Sequence, residues 1–228
     1  MAAPKAYTQP TINSAWEAFV AHVPTILLIW LATAVISGVG LAIYALITLV
    51  GVGVGGGGSH GDSALGVASL LGQLGQLPFT VLSSLVGVLF VAVPALHYEG
   101  GEVITVQAAF AALMRRPLRY LLAGVLFTLA LTIGFVFCIV PAIVVALVTP
   151  IYVNRIFLTD QSITDAFAAS FQAVYGSEKG RSFAGIEILT WLLVLLVSVC
   201  TCGLGALVAV PVGSFYLQNL AYSKGVIS

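Results

Sequence analysis

The chain has 228 residues, of which 60% are apolar and 7% charged, against roughly 25% charged in an average soluble domain, so a water-facing surface cannot be covered. The composition is that of an integral membrane protein. Net charge is zero with eight Lys and Arg in all, which excludes the basic footprint of a nucleic-acid binder.

Residues 1–22, MAAPKAYTQPTINSAWEAFVAH, hold one lysine and no apolar core segment, a pattern opposed to a cleavable secretory signal. The first hydrophobic run starts near Pro24 and is expected to direct insertion itself. Residues 23–59, 63–98, 120–154 and 188–223 carry no formal charge. The last two stretches are 35 and 36 residues long, about 52 Å as single helices at 1.5 Å per residue, against a hydrocarbon core of roughly 30 Å. Each is therefore expected to fold back on itself. Phe137-Cys138-Ile139-Val140-Pro141 and Thr201-Cys202-Gly203-Leu204-Gly205 supply the turn residues near the two midpoints. Six helices are predicted, over 24–50, 77–98, 119–137, 141–158, 183–201 and 204–222.

Between the first two lies GVGVGGGGSHGD, residues 51–62, which satisfies G-x-G-x-x-G at its start. A dinucleotide cradle needs a strand before the glycines, a helix after them and an acidic residue about 20 positions on; a Walker loop needs a lysine. A membrane span precedes these glycines, no lysine follows them as a Walker loop would need, and residues 63–98, where the ribose-binding acid would fall, hold no charge. The stretch reads as a slack loop over 51–75, with His60 and Asp62 solvated.

All eight cations, Lys5, Arg115, Arg116, Arg119, Arg155, Lys179, Arg181 and Lys224, fall on the side of the two termini in a six-span chain. Lys and Arg are retained in the cytoplasm, so both termini are expected there. If 120–154 or 188–223 were instead one tilted or re-entrant helix, some cations would lie outside.

A repeat runs through this pattern. Thr11-Ile12-Asn13-Ser14-Ala15-Trp16-Glu17-Ala18, Thr105-Val106-Gln107-Ala108-Ala109-Phe110-Ala111-Ala112 and Ser162-Ile163-Thr164-Asp165-Ala166-Phe167-Ala168-Ala169 share [ST]-[IV]-x-x-A-[WF]-x-A. The hydroxyl suits an N-cap, and the apolar positions that follow fall on one helical stripe. Val91-Ala92-Val93-Pro94 and Val208-Ala209-Val210-Pro211 match at the exits, with Ala146-Leu147-Val148-Thr149-Pro150 a looser third copy. The expectation is an all-α membrane protein in one domain, 1–228. Its six transmembrane helices form three pseudo-repeated hairpins, each preceded by a short amphipathic interfacial helix. The units cover about 11–98, with a Gly-rich insertion at 51–75, then 105–158 and 162–222. Trp16, Arg115, Arg116 and Arg119 are placed as interfacial anchors; otherwise the three short segments are lead-in turns of the spanning helices.

From Leu158 the chain reads LTDQSITDAFAASF, followed by Gly176, Phe183, TCGLG at 201–205, Pro211 and Tyr216. This resembles an uncharacterised family of six-span bacterial membrane proteins and, more distantly, the membrane domain attached to some glycerophosphodiester phosphodiesterases. The resemblance implies a helical membrane module without an established activity, and no catalytic residue is carried over, because the phosphodiesterase activity of those distant relatives resides in a separate soluble domain.

Among polar residues, Glu187 is the one carboxylate inside a predicted span, and an intramembrane acid is a functional candidate. It either binds a proton in a cavity or pairs with Arg181 or a neighbouring helix end; Asn154 and Arg155 lie in the same layer as candidate partners. His22 and His97 read as hydrogen-bonded interfacial residues, with pigment or metal ligation the alternative. Cys138, Cys200 and Cys202 fall at the two tight turns, where Cys138 could bridge to either of the others in an oxidising compartment; small buried thiols are the other reading. No catalytic constellation, metal site or cofactor is predicted, and bound lipids are expected.

The functional expectation is a non-enzymatic integral membrane scaffold or accessory protein that self-associates or joins a larger membrane complex. The alternative is a channel or transporter for a small solute or ion. The expected location is a bacterial inner membrane, or an internal membrane such as a thylakoid.

Overall fold

The computed structural model describes residues 10–55 and 61–227, which form helices α1 (Ile12–Gly55), α2 (Gly61–Gly87), α3 (Leu89–Gly100), α4 (Val106–Arg115), α5 (Pro117–Phe137), α6 (Ile139–Ala146), α7 (Thr149–Leu158), α8 (Ile163–Tyr175), α9 (Glu178–Cys200) and α10 (Ala206–Ser223). No strand occurs among the described residues. Five segments are long and apolar enough to cross a bilayer: Ile12–Val54, Leu65–Gly100, Pro117–Phe137, Ile139–Leu158 and Glu178–Cys200. The chain is an all-helical integral membrane protein.

Several boundaries differ from those read in the sequence. The first helix does not wait for Pro24. Thr11 Oγ1 accepts from Ser14 N at 3.1 Å, capping a helix that runs through Pro24 to Gly55 without interruption. The segment around Trp16 is thus continuous with the span, because no stop signal lies between Ile12 and Pro24. Further along such signals exist: Arg116 and Pro117 separate α4 from α5, and Ser177, whose side chain accepts from Gly180 N, restarts the chain as α9. That cap also moves the start of α9 back to Glu178.

The expected slack loop is a correction too. Residues 51–55 extend α1 and residues 61–75 belong to α2; only 56–60, including His60, lie outside the described residues, and nothing is said of the Asp62 side chain. A glycine in a helix costs roughly 1 kcal/mol relative to alanine, and here close packing offsets that cost. A Cβ on Gly51 would lie 2.6 Å from Ala68 Cβ, one on Gly72 2.7 Å from Thr48 Oγ1, and one on Gly75 2.5 Å from Ile47 Cδ1. Small residues let the two backbones approach, as in other membrane helix pairs.

The remaining correction concerns the exits. The expected helix 77–98 is divided at Val88, and 141–158 is divided at Leu147–Val148. The second break has a clear cause. Pro150 has no N–H to offer the Ala146 carbonyl, and Thr149 Oγ1 donates to that oxygen instead, at 2.5 Å.

The chain forms two compact units, one from Met1–Ile26 with Val88–Ser228 and one from Leu27–Gly87. Leu27–Gly87 is an antiparallel helical hairpin whose register shows in Ser37 opposite Ser83, hydroxyls 2.7 Å apart, and Tyr44 opposite Ser69. In the other unit α10 packs on α3, α7 and α9, while α8 bridges α7 and α9. Phe183, Phe215, Leu89, Leu113 and Ile151 are fully buried there. The α5–α6 turn is tight enough that a Cβ on Gly134 would meet the Ala142 backbone at 2.8 Å. The outer face of α9, with Leu189, Leu192, Leu196 and Val199, is exposed and apolar, suited to lipid or a partner helix.

Candidate functional site

The polar side chains of the larger unit converge where α3, α7 and α10 meet. The last two turns of α10 bury Phe215, Gln218, Asn219 and Tyr222, although a membrane helix gains nothing by burying amides without partners. Gln218 and Tyr222 have partners, whereas the buried Asn219 Oδ1 has none among the described residues. Gln218 Nε2 donates to the Pro150 carbonyl at 2.8 Å, and its Oε1 accepts from Asn154 Nδ2 at 3.4 Å. Asn154 Nδ2 also reaches the Tyr222 hydroxyl at 3.0 Å, and Tyr222 donates onward to Glu99 at 3.1 Å. The chain Pro150–Gln218–Asn154–Tyr222–Glu99 thus stitches α7, α10 and α3 together.

Aromatic rings extend this cluster. His22 and His97 meet edge to face at 4.7 Å between centroids, and Phe215 lies 5.0 Å from His22 and 5.9 Å from His97. His22 is fully buried. Its Nδ1 lies 2.6 Å from the Ala18 carbonyl and its Nε2 accepts the Ile104 N–H at 3.0 Å, so a neutral ring protonated at Nδ1 satisfies both contacts. Thr25 Oγ1 donates to the Ile104 carbonyl at 2.9 Å. One residue of the segment after α3, Ile104, is therefore held at both its N–H and its C=O, and both His22 nitrogens are engaged by backbone groups. His97 Nδ1 pairs with the Glu102 carbonyl at 2.8 Å.

Glu187 lies apart from this network. It is fully buried on α9; Oε1 accepts from Trp191 Nε1 at 3.4 Å, and Oε2 has no hydrogen-bond partner. Arg181 is exposed and forms no ion pair with it, since six residues of helix turn the two side chains to different faces. Asn154 is committed to Gln218 and Tyr222 rather than to Glu187, and Arg155 keeps a buried Nε without a partner. Tyr175, at the end of α8, donates to the Val144 carbonyl at 2.8 Å; burial, with the nearby Glu187 charge adding to it, pushes its phenol up to about 12.

The expected anchors divide. Trp16 is exposed and packs on Phe19 at 5.5 Å. Arg116 forms the one ion pair among the described residues, with Asp160 at 2.6 Å, the two side chains 52% and 86% exposed. Arg119 Nη2 donates to the Thr159 carbonyl at 3.0 Å, and Arg115 is exposed. Cys138, Cys200 and Cys202 are free thiols and exposed at their turns, not buried; the turn between α9 and α10 turns outward with Cys202 at φ 52° and Gly203 at φ 91°.

Sequence reasoning missed Gln218, Tyr222 and Glu99 as members of the cluster. The adjacent amides Gln218-Asn219 in the last apolar run were the available signal, since paired amides in a span must find partners. The arrangement links α3, α7 and α10 through side-chain hydrogen bonds, with no nucleophile held against a base in it, and leaves Asn219 Oδ1 and the Tyr98 hydroxyl buried without a partner among the described residues. The fold defines a helical integral membrane protein. No family model, curated protein or solved structure matches the chain.

Proposed function

We propose that the protein is a non-enzymatic integral membrane scaffold or accessory subunit that self-associates. One observation carries this reading: in the larger unit Gln218, Asn154 and Tyr222 are turned inward onto one another, and the apolar outward faces are left to lipid and partner helices. In Ile12–Val54, Pro117–Phe137 and Glu178–Cys200 only 17% of the most apolar window is buried within the chain. The proposed architecture adds α10 as a sixth crossing after the turn at Thr201–Gly205, giving three similar hairpins with both termini cytoplasmic. In this arrangement α4, α8 and the start of α1 lie at the cytoplasmic interface, as in the six-span bacterial family the sequence resembles. A bacterial inner membrane or an internal membrane such as a thylakoid fits the placement of Lys and Arg. Extraction in native lipid discs tests the reading: particles holding several copies, or a constant second protein, support it, and a strict monomer that co-purifies with nothing removes it.

A second reading, a proton-coupled channel or transporter, is favoured by Glu187, whose buried carboxyl leaves Oε2 unpartnered. Solute or proton flux in vesicles that disappears with Glu187→Gln supports it; equal flux from the variant and from empty vesicles eliminates it.

A further inference from the structure

Leu27–Gly55 is 29 residues of continuous helix without an internal proline, about 43 Å at 1.5 Å per residue, against roughly 30 Å of hydrocarbon. Fitting it by tilt alone needs about 46°, beyond the roughly 0–40° that membrane helices adopt. The far end of the hairpin therefore carries apolar side chains past the bilayer core. Leu49 is 74% and Val54 86% exposed there, and Leu65 and Leu70 are exposed on the returning helix. A projection of this kind is stable only when something covers it.

The hairpin also carries a polar stripe on an otherwise apolar surface. Gln73, Gln76, Thr80 and Ser84 recur at i, i+3, i+7 and i+11 along α2, one face of a helix. Gln73, Thr80 and Ser84 are exposed, and among the described residues neither Gln73 nor Gln76 has a side-chain hydrogen bond. Gln76, Thr80 and Ser84 of this stripe themselves line one side of a polar indentation of about 190 Å³, with Ser37 and Gly40 of α1 also in its lining. Amides facing hydrocarbon are costly, so this face needs a polar partner.

We infer that the α1–α2 hairpin pairs with the same hairpin of a second copy of this chain, the Gln73–Gln76–Thr80 stripe of each meeting the indentation of the other. This rests on the self-associating reading above. A primary amide carries both donor and acceptor, so it is its own complement across a two-fold axis. The flanking sequence 23–59 and 63–98 carries no formal charge that would select a charged partner.

The test uses the full chain in lipid vesicles, with Cys138, Cys200 and Cys202 replaced by serine. Gln76→Cys is expected to give a disulfide-linked dimer on oxidation, whereas Leu71→Cys, exposed on the opposite side of α2, is not. In the second arm Gln73→Leu with Gln76→Leu, which keeps the helix apolar and foldable, is expected to weaken self-association on dilution in lipid at least about tenfold, the combined effect of losing the symmetric amide contacts. Equal cross-linking from both cysteine positions, none from Gln76→Cys, or undiminished association of the double leucine variant overturns the assignment while leaving self-association standing. A wild-type chain that is monomeric in the same vesicles overturns both, and capture of a different protein by Gln76→Cys in native membranes overturns the choice of a second copy.

Discussion

Replacing Gln218 by leucine isolates what the buried polar network contributes. Leucine is close in volume and leaves no large cavity, so the loss is that of two contacts: 2.8 Å to the Pro150 carbonyl and 3.4 Å to Asn154. Interhelical side-chain hydrogen bonds in membranes average about 0.6 kcal/mol and reach about 1.7. The short bond belongs near the upper value and the long one below the average, so Gln218→Leu is expected to destabilise the larger unit by about 1–2 kcal/mol. Because Asn154 keeps Tyr222 at 3.0 Å, a cycle combining Gln218→Leu with Asn154→Leu should show a coupling of only about 0.5 kcal/mol. Unfolding by sodium dodecyl sulfate in mixed micelles, followed by circular dichroism, measures all four proteins. A change below about 0.3 kcal/mol, or a gain, refutes the claim that this chain of amides ties α7 to α10; a loss well above about 4 kcal/mol would assign the site to packing instead.

In the hairpin, Gly72→Ala puts a Cβ 3.1 Å from the Tyr44 carbonyl oxygen and 2.7 Å from Thr48 Oγ1, and is expected to cost about 1–3 kcal/mol in the same assay. Gly66→Ala meets nothing within 4 Å and should gain about 0.5–1 kcal/mol from helix propensity, so equal effects at the two positions contradict the packing described. Arg116→Ala removes an exposed ion pair and is expected to change stability by less than about 0.5 kcal/mol, a larger loss showing that the pair is more sheltered than its exposure implies. Tyr175→Phe removes the bond to Val144 and should cost about 1 kcal/mol at neutral pH. The folded-state phenol is raised, so that contribution is complete below about pH 10 and is lost as pH climbs towards about 12; at about 1.4 kcal/mol per unit the loss exceeds the bond's contribution, so wild type should fall below the variant before pH 12 in a pH series of unfolding curves.

The helical membrane class was legible because composition alone excludes a soluble surface, and Thr11, Thr105 and Ser162 announced helix starts through the hydroxyl that an exposed N–H requires. Hairpin extents were less legible. Gly51, Gly72 and Gly75 look like slack in isolation and become packing residues only when the opposite helix is known, because a glycine's value depends on what stands within 3 Å of its missing Cβ. The breaks in the exit segments were half visible: Pro150 marks one, but Val88 carries no such mark. For the site, Asn154 was singled out as a candidate partner of Glu187, whereas it pairs with Gln218 and Tyr222, which lie 64 and 68 residues away where no local spacing encodes the pairing. Glu187 was found as a buried acid, yet the expected contact with Arg181 ignored the turn of α9 that separates them.

Labelling of thiols from one side of the membrane tests the six-crossing arrangement most directly. Cys138, Cys200 and Cys202 are exposed at the turns assigned to the outer face, so a membrane-impermeant maleimide added outside sealed vesicles of known orientation should modify them. A cysteine introduced at Leu118, beside Arg116 and Arg119, in a chain lacking the other three, should react only after the vesicles are opened. Reaction of the Leu118→Cys thiol from outside, or protection of all three native thiols until lysis, contradicts a bundle that gathers its cations on one side of the bilayer.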